Sequence, residues 1–134
     1  MKKRQSGVLM HISSLPGKYG IGSFGQSAYD FVDFLVRTKQ RYWQILPLGT
    51  TSYGDSPYQS FSAFAGNTYF IDFDILIEEG LLNEVDVKGA DFGDDPRKVD
   101  YAKIFDARRP IMEKAVARFL KADDLSDYES FVEQ

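Results

Sequence analysis

GVLMHISSLPGKYGIGSFGQSAYDFVDFLVRTKQRYWQILPLG, residues 7–49, is the stretch whose reading decides the fold. It opens on GVLMHI (7–12), an apolar run of the kind a strand shows when both faces of a parallel sheet are covered. The pattern then turns helical, and the spacing predicts a helix over 24–39. Ala28, Phe31, Val32, Leu35 and Val36 recur at i, i+3, i+4, i+7 and i+8, which draws one apolar stripe. Ser23 with Gln26 forms a capping box, Arg37, Lys39 and Arg41 suit the negative end of the helix dipole, and Asp33 and Arg37 make an i,i+4 pair. YWQIL (42–46) is a second strand, stopped by Pro47 and Gly49. Two apolar strands joined by one helix make a right-handed crossover, the opening of an α/β fold.

Downstream the signals weaken. TYFIDF (68–73) reads as extended, and Asp74 as the cap of a short helix ending at Gly80. Residues 83–100 are acidic and aperiodic, a connector. A longer helix is expected over 101–122, with Ile111, Ala115, Phe119 and Leu120 on its apolar side and Pro110 as a kink or a fresh start. Ser126 to Glu129 forms a capping box opening one more helix. Parallel strands need neighbours on both sides, and only two strands are clear. The expectation is the N-terminal piece of a larger α/β protein, with unpaired strand edges that favour aggregation of the piece alone.

Composition sets the class. The chain has 134 residues, 43% hydrophobic and 27% charged, as ordered globular domains do. There is no cysteine, which removes disulfides, thiolate metal sites and cysteine nucleophiles. The apolar run after the basic N-terminus is too short for a signal-peptide core or a membrane span, so a soluble, cytoplasmic protein is expected. Residues 1–50 carry seven Lys/Arg against two acids, and residues 51–134 carry nine against eighteen. An acidic remainder argues against a nucleic-acid partner, and Lys2, Lys3 and Arg4 read as a solvated tail.

Three features bear on chemistry. Gly20-Ile21-Gly22-Ser23-Phe24-Gly25 matches G-x-G-x-x-G, yet seven residues separate it from the strand and no ribose-binding acid follows. A loop passing closely over the sheet explains these glycines better. His11, the only histidine, sits near the carboxyl end of the first strand and reads as a hydrogen-bonded packing residue. Asp94-Asp95 and Asp123-Asp124 read as solvated surface, and no metal site or cofactor is expected. The third feature is SYGDSPYQSFSAFAGN (52–67), with four aromatics, four serines and one charge, Asp55. Rings and hydroxyls without charge suit a ligand with apolar faces and hydroxyl edges, such as a sugar chain. Phe61 and Phe64 are expected to anchor this loop in the core, and Ser56-Pro57 to fix a turn presenting Tyr58.

SGVLMHISSLPGKYGIG (6–22), YWQILPLG (42–49) and YGDSPYQSFSAFAGN (53–67), in that order, resemble the N-terminus of the amylomaltases, the 4-alpha-glucanotransferases or disproportionating enzymes. Past Phe73 the likeness thins to VDYAKIF (99–105), and Thr50 departs from the family's usual proline. The resemblance implies the start of a (β/α)₈ TIM barrel with an aromatic-rich insertion after the second strand, Val8–Ile12 and Tyr42–Leu46 being strands one and two. Residues 1–50 would be the first β-α-β unit and 51–134 a loop and insertion subdomain with helices, the rest of the barrel lying outside this chain. It implies retaining transfer of an α-1,4-glucan segment to glucose or a maltooligosaccharide, through a glycosyl-enzyme intermediate and two carboxylates beyond Gln134. Ser56 and Tyr58 match donor-side glucan contacts, and Tyr53 matches an outer one. The alternative from another class is a non-catalytic glucan-binding module, which a β-α-β start fits poorly.

Overall fold

The computed structural model describes residues 4–52, 54–122 and 124–133. Two short parallel strands, β1 (Gly7–Leu9) and β2 (Tyr42–Gln44), pair with Val8 opposite Trp43. Helix α1 (Gln26–Arg37) is the crossover between them. The sheet continues by one bond, Met10 N to the Gln44 carbonyl at 3.0 Å. The Trp43 indole then closes the exit by donating to the Met10 carbonyl at 2.7 Å, while its ring meets Phe31 edge-on at 4.8 Å.

Both strands are shorter than their apolar runs. After Leu9 the chain bends into a single 3₁₀ turn at Ile12–Ser14, which drives Ile12 into the core. Leu9 and Tyr42 are exposed, so among the described residues the sheet is covered less fully than the apolar run implies. In α1 the stripe is buried at Ala28 and Leu35, while Val32 and Val36 face solvent. Ser23 does not cap α1, and Asp33 and Arg37 do not pair. The cap position is Gly25, and the Ser23 hydroxyl instead donates to Asp72.

That carboxylate joins the two halves of the chain. Asp72 caps α2 (Phe73–Glu78) by accepting from the Asp74 and Ile75 amides at 2.9 and 3.2 Å, a contribution of about 1 kcal/mol. The cap lies two residues earlier than Asp74. It also packs where a Cβ on Gly25 would overlap it, so the start of α1 faces a carboxylate rather than a bound phosphate. Gly22 likewise lies so close to the Ile12 carbonyl that no side chain fits, which accounts for a glycine of the G-x-G-x-x-G pattern. TYFIDF is not extended. Asn67 accepts from the Tyr69 amide and winds Thr68–Phe70 into a 3₁₀ turn, because a local side-chain acceptor outcompetes a ladder that has no neighbouring strand among the described residues.

Residues 84–87 form α3 (Glu84–Val87), one turn within the expected connector. Helix α4 (Tyr101–Phe119) begins at its expected residue, capped by Asp100, and runs through Pro110 without a break. Pro110 is exposed, so water can satisfy the carbonyl its missing N–H frees. In α5 (Ser126–Val132) the Ser126 side chain does not cap, and Asp124 accepts from the Ser126 amide at 3.0 Å. Two clusters make the core: Ile12, Leu15, Ile21, Ala28, Phe70 and Ile104 beneath the sheet, and Phe73, Leu82, Ile111 and Ala115 between α2 and α4.

Asp86 fastens α3 to α4, accepting from Arg118 at 2.6 Å and the Asn83 amide at 3.0 Å, with Lys114 at 3.3 Å. The Arg118 hydrogen bond leads in holding this carboxyl well below the usual carboxylate range. A lowered folded-state pKa stabilises above the unfolded value of about 3.9, and this contribution fades as pH falls toward the folded value. Asp86→Asn is therefore expected to lower Tm at pH 7, with the gap to wild type narrowing below about pH 4. Melts of both proteins across that range check it, and a gap constant with pH would show that the charge contributes nothing.

Candidate functional site

The loop after β2 is organised by its own hydroxyls. Gly49 and Gly66 form an antiparallel bridge across its base. Ser52 donates to the Gln59 carbonyl at 2.9 Å, Ser60 to the Ser62 carbonyl at 2.7 Å, and Ser62 accepts from the Ala65 amide at 3.0 Å. With Ser56, which accepts from the Tyr58 amide, all four serines thus bond the loop backbone, leaving fewer hydroxyls for a ligand than composition suggests.

Ser56 and Tyr58 are brought together in one turn. The Gln59 amide donates to the Ser56 carbonyl at 3.1 Å and the Tyr58 amide to Ser56 Oγ at 3.3 Å. Among the described residues Ser56 Oγ only accepts, which leaves its proton available to donate. Tyr58 stands 72% exposed on a groove of about 430 Å³ that it shares with Leu48, Pro57, Ser60 and Phe64. Tyr53 lies outside the described residues.

Phe61 and Phe64 do not anchor the loop. They are 77% and 99% exposed, because the bridge and the serine hydrogen bonds hold the loop without a hydrophobic pin. Phe61→Ala should then change unfolding free energy by no more than about 0.5 kcal/mol, as for an exposed substitution. Urea titration tests this, and a loss above about 2 kcal/mol would return Phe61 to the core.

His11 also departs from expectation. It is 8% exposed, edge-on to Phe70 at 5.2 Å, yet its Nδ1 has no hydrogen-bond partner among the described residues. Burial pushes its pKa below the ordinary value, which keeps the ring neutral. Tyr69 and Tyr101 stand nearby, and burial leads in raising both of their pKa values, with the Asp55 charge adding to the rise. Among the described residues no cluster of three or more His, Asp or Glu side chains could hold a metal, and no helix is long and apolar enough to cross a membrane. Asp94 and Asp95 are exposed and paired to Lys103 and Arg97, in keeping with a solvated surface.

Sequence reasoning missed a second groove. About 640 Å³ in volume, it runs along α4 and is lined by Phe61, Tyr69, Phe105, Arg108, Met112 and Val116. Its sequence signal is a second apolar stripe, Phe105, Met112, Val116 and Leu120, on a different face of α4 from the core positions Ile104, Ile111 and Ala115.

A parallel crossover unit with polar and aromatic groups gathered past the carboxyl ends of its strands defines an α/β protein, and the candidate site lies where such folds place ligands. The chain belongs to the 4-alpha-glucanotransferase family, whose model matches residues 10–134. It is 77% identical over 133 residues to a 4-alpha-glucanotransferase of Streptococcus pneumoniae, covering 99% of this chain and 26% of that protein. It is 45% identical over 128 residues to one from Thermus thermophilus, covering 96% of this chain and 25% of the other. The structure of an amylomaltase from Streptococcus agalactiae in complex with acarbose superposes with a TM-score of 0.91 at 60% identity, covering 98% of this chain and 27% of that one. The chain spans about a quarter of the length of the relatives it matches.

Proposed function

We propose that this chain is the substrate-gripping N-terminal part of a cytoplasmic 4-alpha-glucanotransferase acting on α-1,4-glucans and maltooligosaccharides. β1 and β2 are then the first two strands of a (β/α)₈ barrel. Residues 1–50 form its first β-α-β unit, and 51–134 a subdomain inserted after the second strand. The observation that carries the reading is the exposed Tyr58 ring facing an open groove beside Phe64, in a chain of this family. Rings offer stacking area to the C–H face of a glucose unit, and the Ser56 and Tyr58 hydroxyls bond its edge. A Tyr53 contact with an outer sugar belongs to the same proposal.

The reaction proceeds by retention. A carboxylate attacks the anomeric carbon, a carboxylic acid gives its proton to the departing glycosidic oxygen, and a glycosyl-enzyme ester remains. An acceptor sugar hydroxyl then attacks the anomeric carbon of that ester, giving its proton to the acid residue deprotonated in the first step, and the nucleophilic carboxylate leaves. Both carboxylates are placed beyond Gln134. In this chain the small cavity beneath the loop has Asp55 as the single carboxylate among its lining residues.

Incubation with maltotriose tests the proposal. The full-length protein is expected to release glucose and build longer maltooligosaccharides, and residues 1–134 alone to release none. Failure of the full-length protein to disproportionate, or glucose release by the 134-residue chain, would overturn it. Binding without turnover would favour the glucan-binding module.

A further inference from the structure

Beneath the loop lies a cavity of about 130 Å³, bounded by the exits of both strands and the start of α4, and lined by His11, Ser13, Leu46, Asp55, Pro57 and Tyr101. Two of these residues occupy their positions at a cost. His11 buries an Nδ1 that has no partner among the described residues, where a leucine would fill space without desolvating a polar atom. Asp55 holds a left-handed backbone at φ 57°, beside Gly54 at φ 100°, a conformation glycine adopts without strain. Costly groups gathered at one place point to function rather than packing. The turn that presents Ser56 and Tyr58 begins at the residue after Asp55.

We propose that His11 and Asp55 act across this cavity as a pair of positioning residues, holding the Ser56–Gln59 turn in its glucan-binding pose without touching the sugar. Asp55 is an exposed residue, yet it lines this cavity together with His11, Pro57 and Tyr101. Pro57 lines both this cavity and the Tyr58 groove, and so links the pair mechanically to the ring that meets the ligand. The sugar-binding consequence rests on the proposed glucanotransferase function, while the ordering of the loop does not.

The test uses the full-length protein and four variants: His11→Leu, His11→Asn, Asp55→Gly and the double change His11→Leu with Asp55→Gly. Loop order is read by the rate of chymotrypsin nicking after Tyr58, Phe61 and Phe64, whose rings are exposed. Function is read by KM and kcat on maltotriose, and folding by Tm. His11→Leu and Asp55→Gly are each expected to raise both nicking and KM by about 3- to 10-fold, with kcat within about twofold and Tm unchanged or higher. His11→Asn keeps a polar atom near the place of Nδ1 and should recover most of the loss. The double variant should be no worse than the worse single one, the mark of a coupled pair. Unchanged nicking and KM, strictly additive losses, or losses that follow a fall in Tm would each overturn the pairing. If wild type ignores maltotriose while nicking still shows the non-additive rise, the glucan reading fails and the pairing stands.

Discussion

Arg108→Ala is expected to destabilise the protein by about 2–5 kcal/mol, the range for truncating a large buried side chain. Arg108 is 2% exposed, its guanidinium carbon lies 4.0 Å from the centre of the Phe73 ring, and Nη2 donates to the Ile71 carbonyl at 2.6 Å. Burial pushes its pKa down to about 10, so the side chain is still charged at neutral pH. Alanine would remove the cation from the ring, leave the Ile71 carbonyl without its donor and open a void between α2 and α4. Arg108→Met, which fills similar space without charge, should cost clearly less, because replacing a buried ion by an apolar side chain removes its desolvation penalty. Arg108→Lys should be closer to alanine than its charge suggests, since an ammonium cannot stack flat on the ring. Urea unfolding of the full-length protein ranks the three. A cost below about 1 kcal/mol for alanine would mean that the buried guanidinium is a tolerated defect rather than a tie.

The second large effect falls on function. Tyr58→Ala in the full-length protein should cost about 1–3 kcal/mol of transition-state stabilisation, a drop of roughly 5- to 150-fold in kcat/KM. It removes one stacking face and one hydroxyl from a residue that is 72% exposed and so contributes little to folding. Tm should therefore stay within a degree or two while the kinetics collapse. Tyr58→Phe keeps the ring and should retain much of the activity. A protein that melts early as Tyr58→Ala yet keeps wild-type kcat/KM while folded would make the loop a packing element. Read together, Tyr58→Ala and Phe61→Ala separate the roles of two exposed rings three residues apart.

The elements that were legible in the sequence are those whose cause is local. The parallel crossover, the start of α4 at Tyr101 and the turn at Ser56-Pro57 each follow from a periodicity or a cap within a few residues. The pairing of Ser56 with Tyr58 on one turn was likewise local, and so was readable in advance. The misreadings share another cause. Ser23 carries a capping signature that Asp72, 49 residues away, overrides by accepting its hydroxyl. TYFIDF has the composition of a strand but no neighbouring strand among the described residues, and the Asn67 side chain turns it into a helical turn. Phe61 and Phe64 look like anchors by hydrophobicity, yet hydrogen bonds between serine hydroxyls and the loop backbone hold the loop instead.

Arg108 shows the division most clearly. Its spacing from Ile104, Ile111 and Ala115 puts it on the buried face of α4, so its place was written in the heptad-like pattern. What makes a charge tolerable there was not, because the Phe73 ring and the Ile71 carbonyl come from a segment more than thirty residues earlier in the chain. By itself the sequence determined the β-α-β opening, the cysteine-free chemistry and an aromatic loop poised after the second strand, since each depends on neighbours in the chain. The tertiary structure alone decided which rings face solvent, which serines are spent on backbone and which cavity gathers His11 with Asp55. Those outcomes are set by close approaches between distant segments, where the free energy of a side chain depends on partners that no local pattern names.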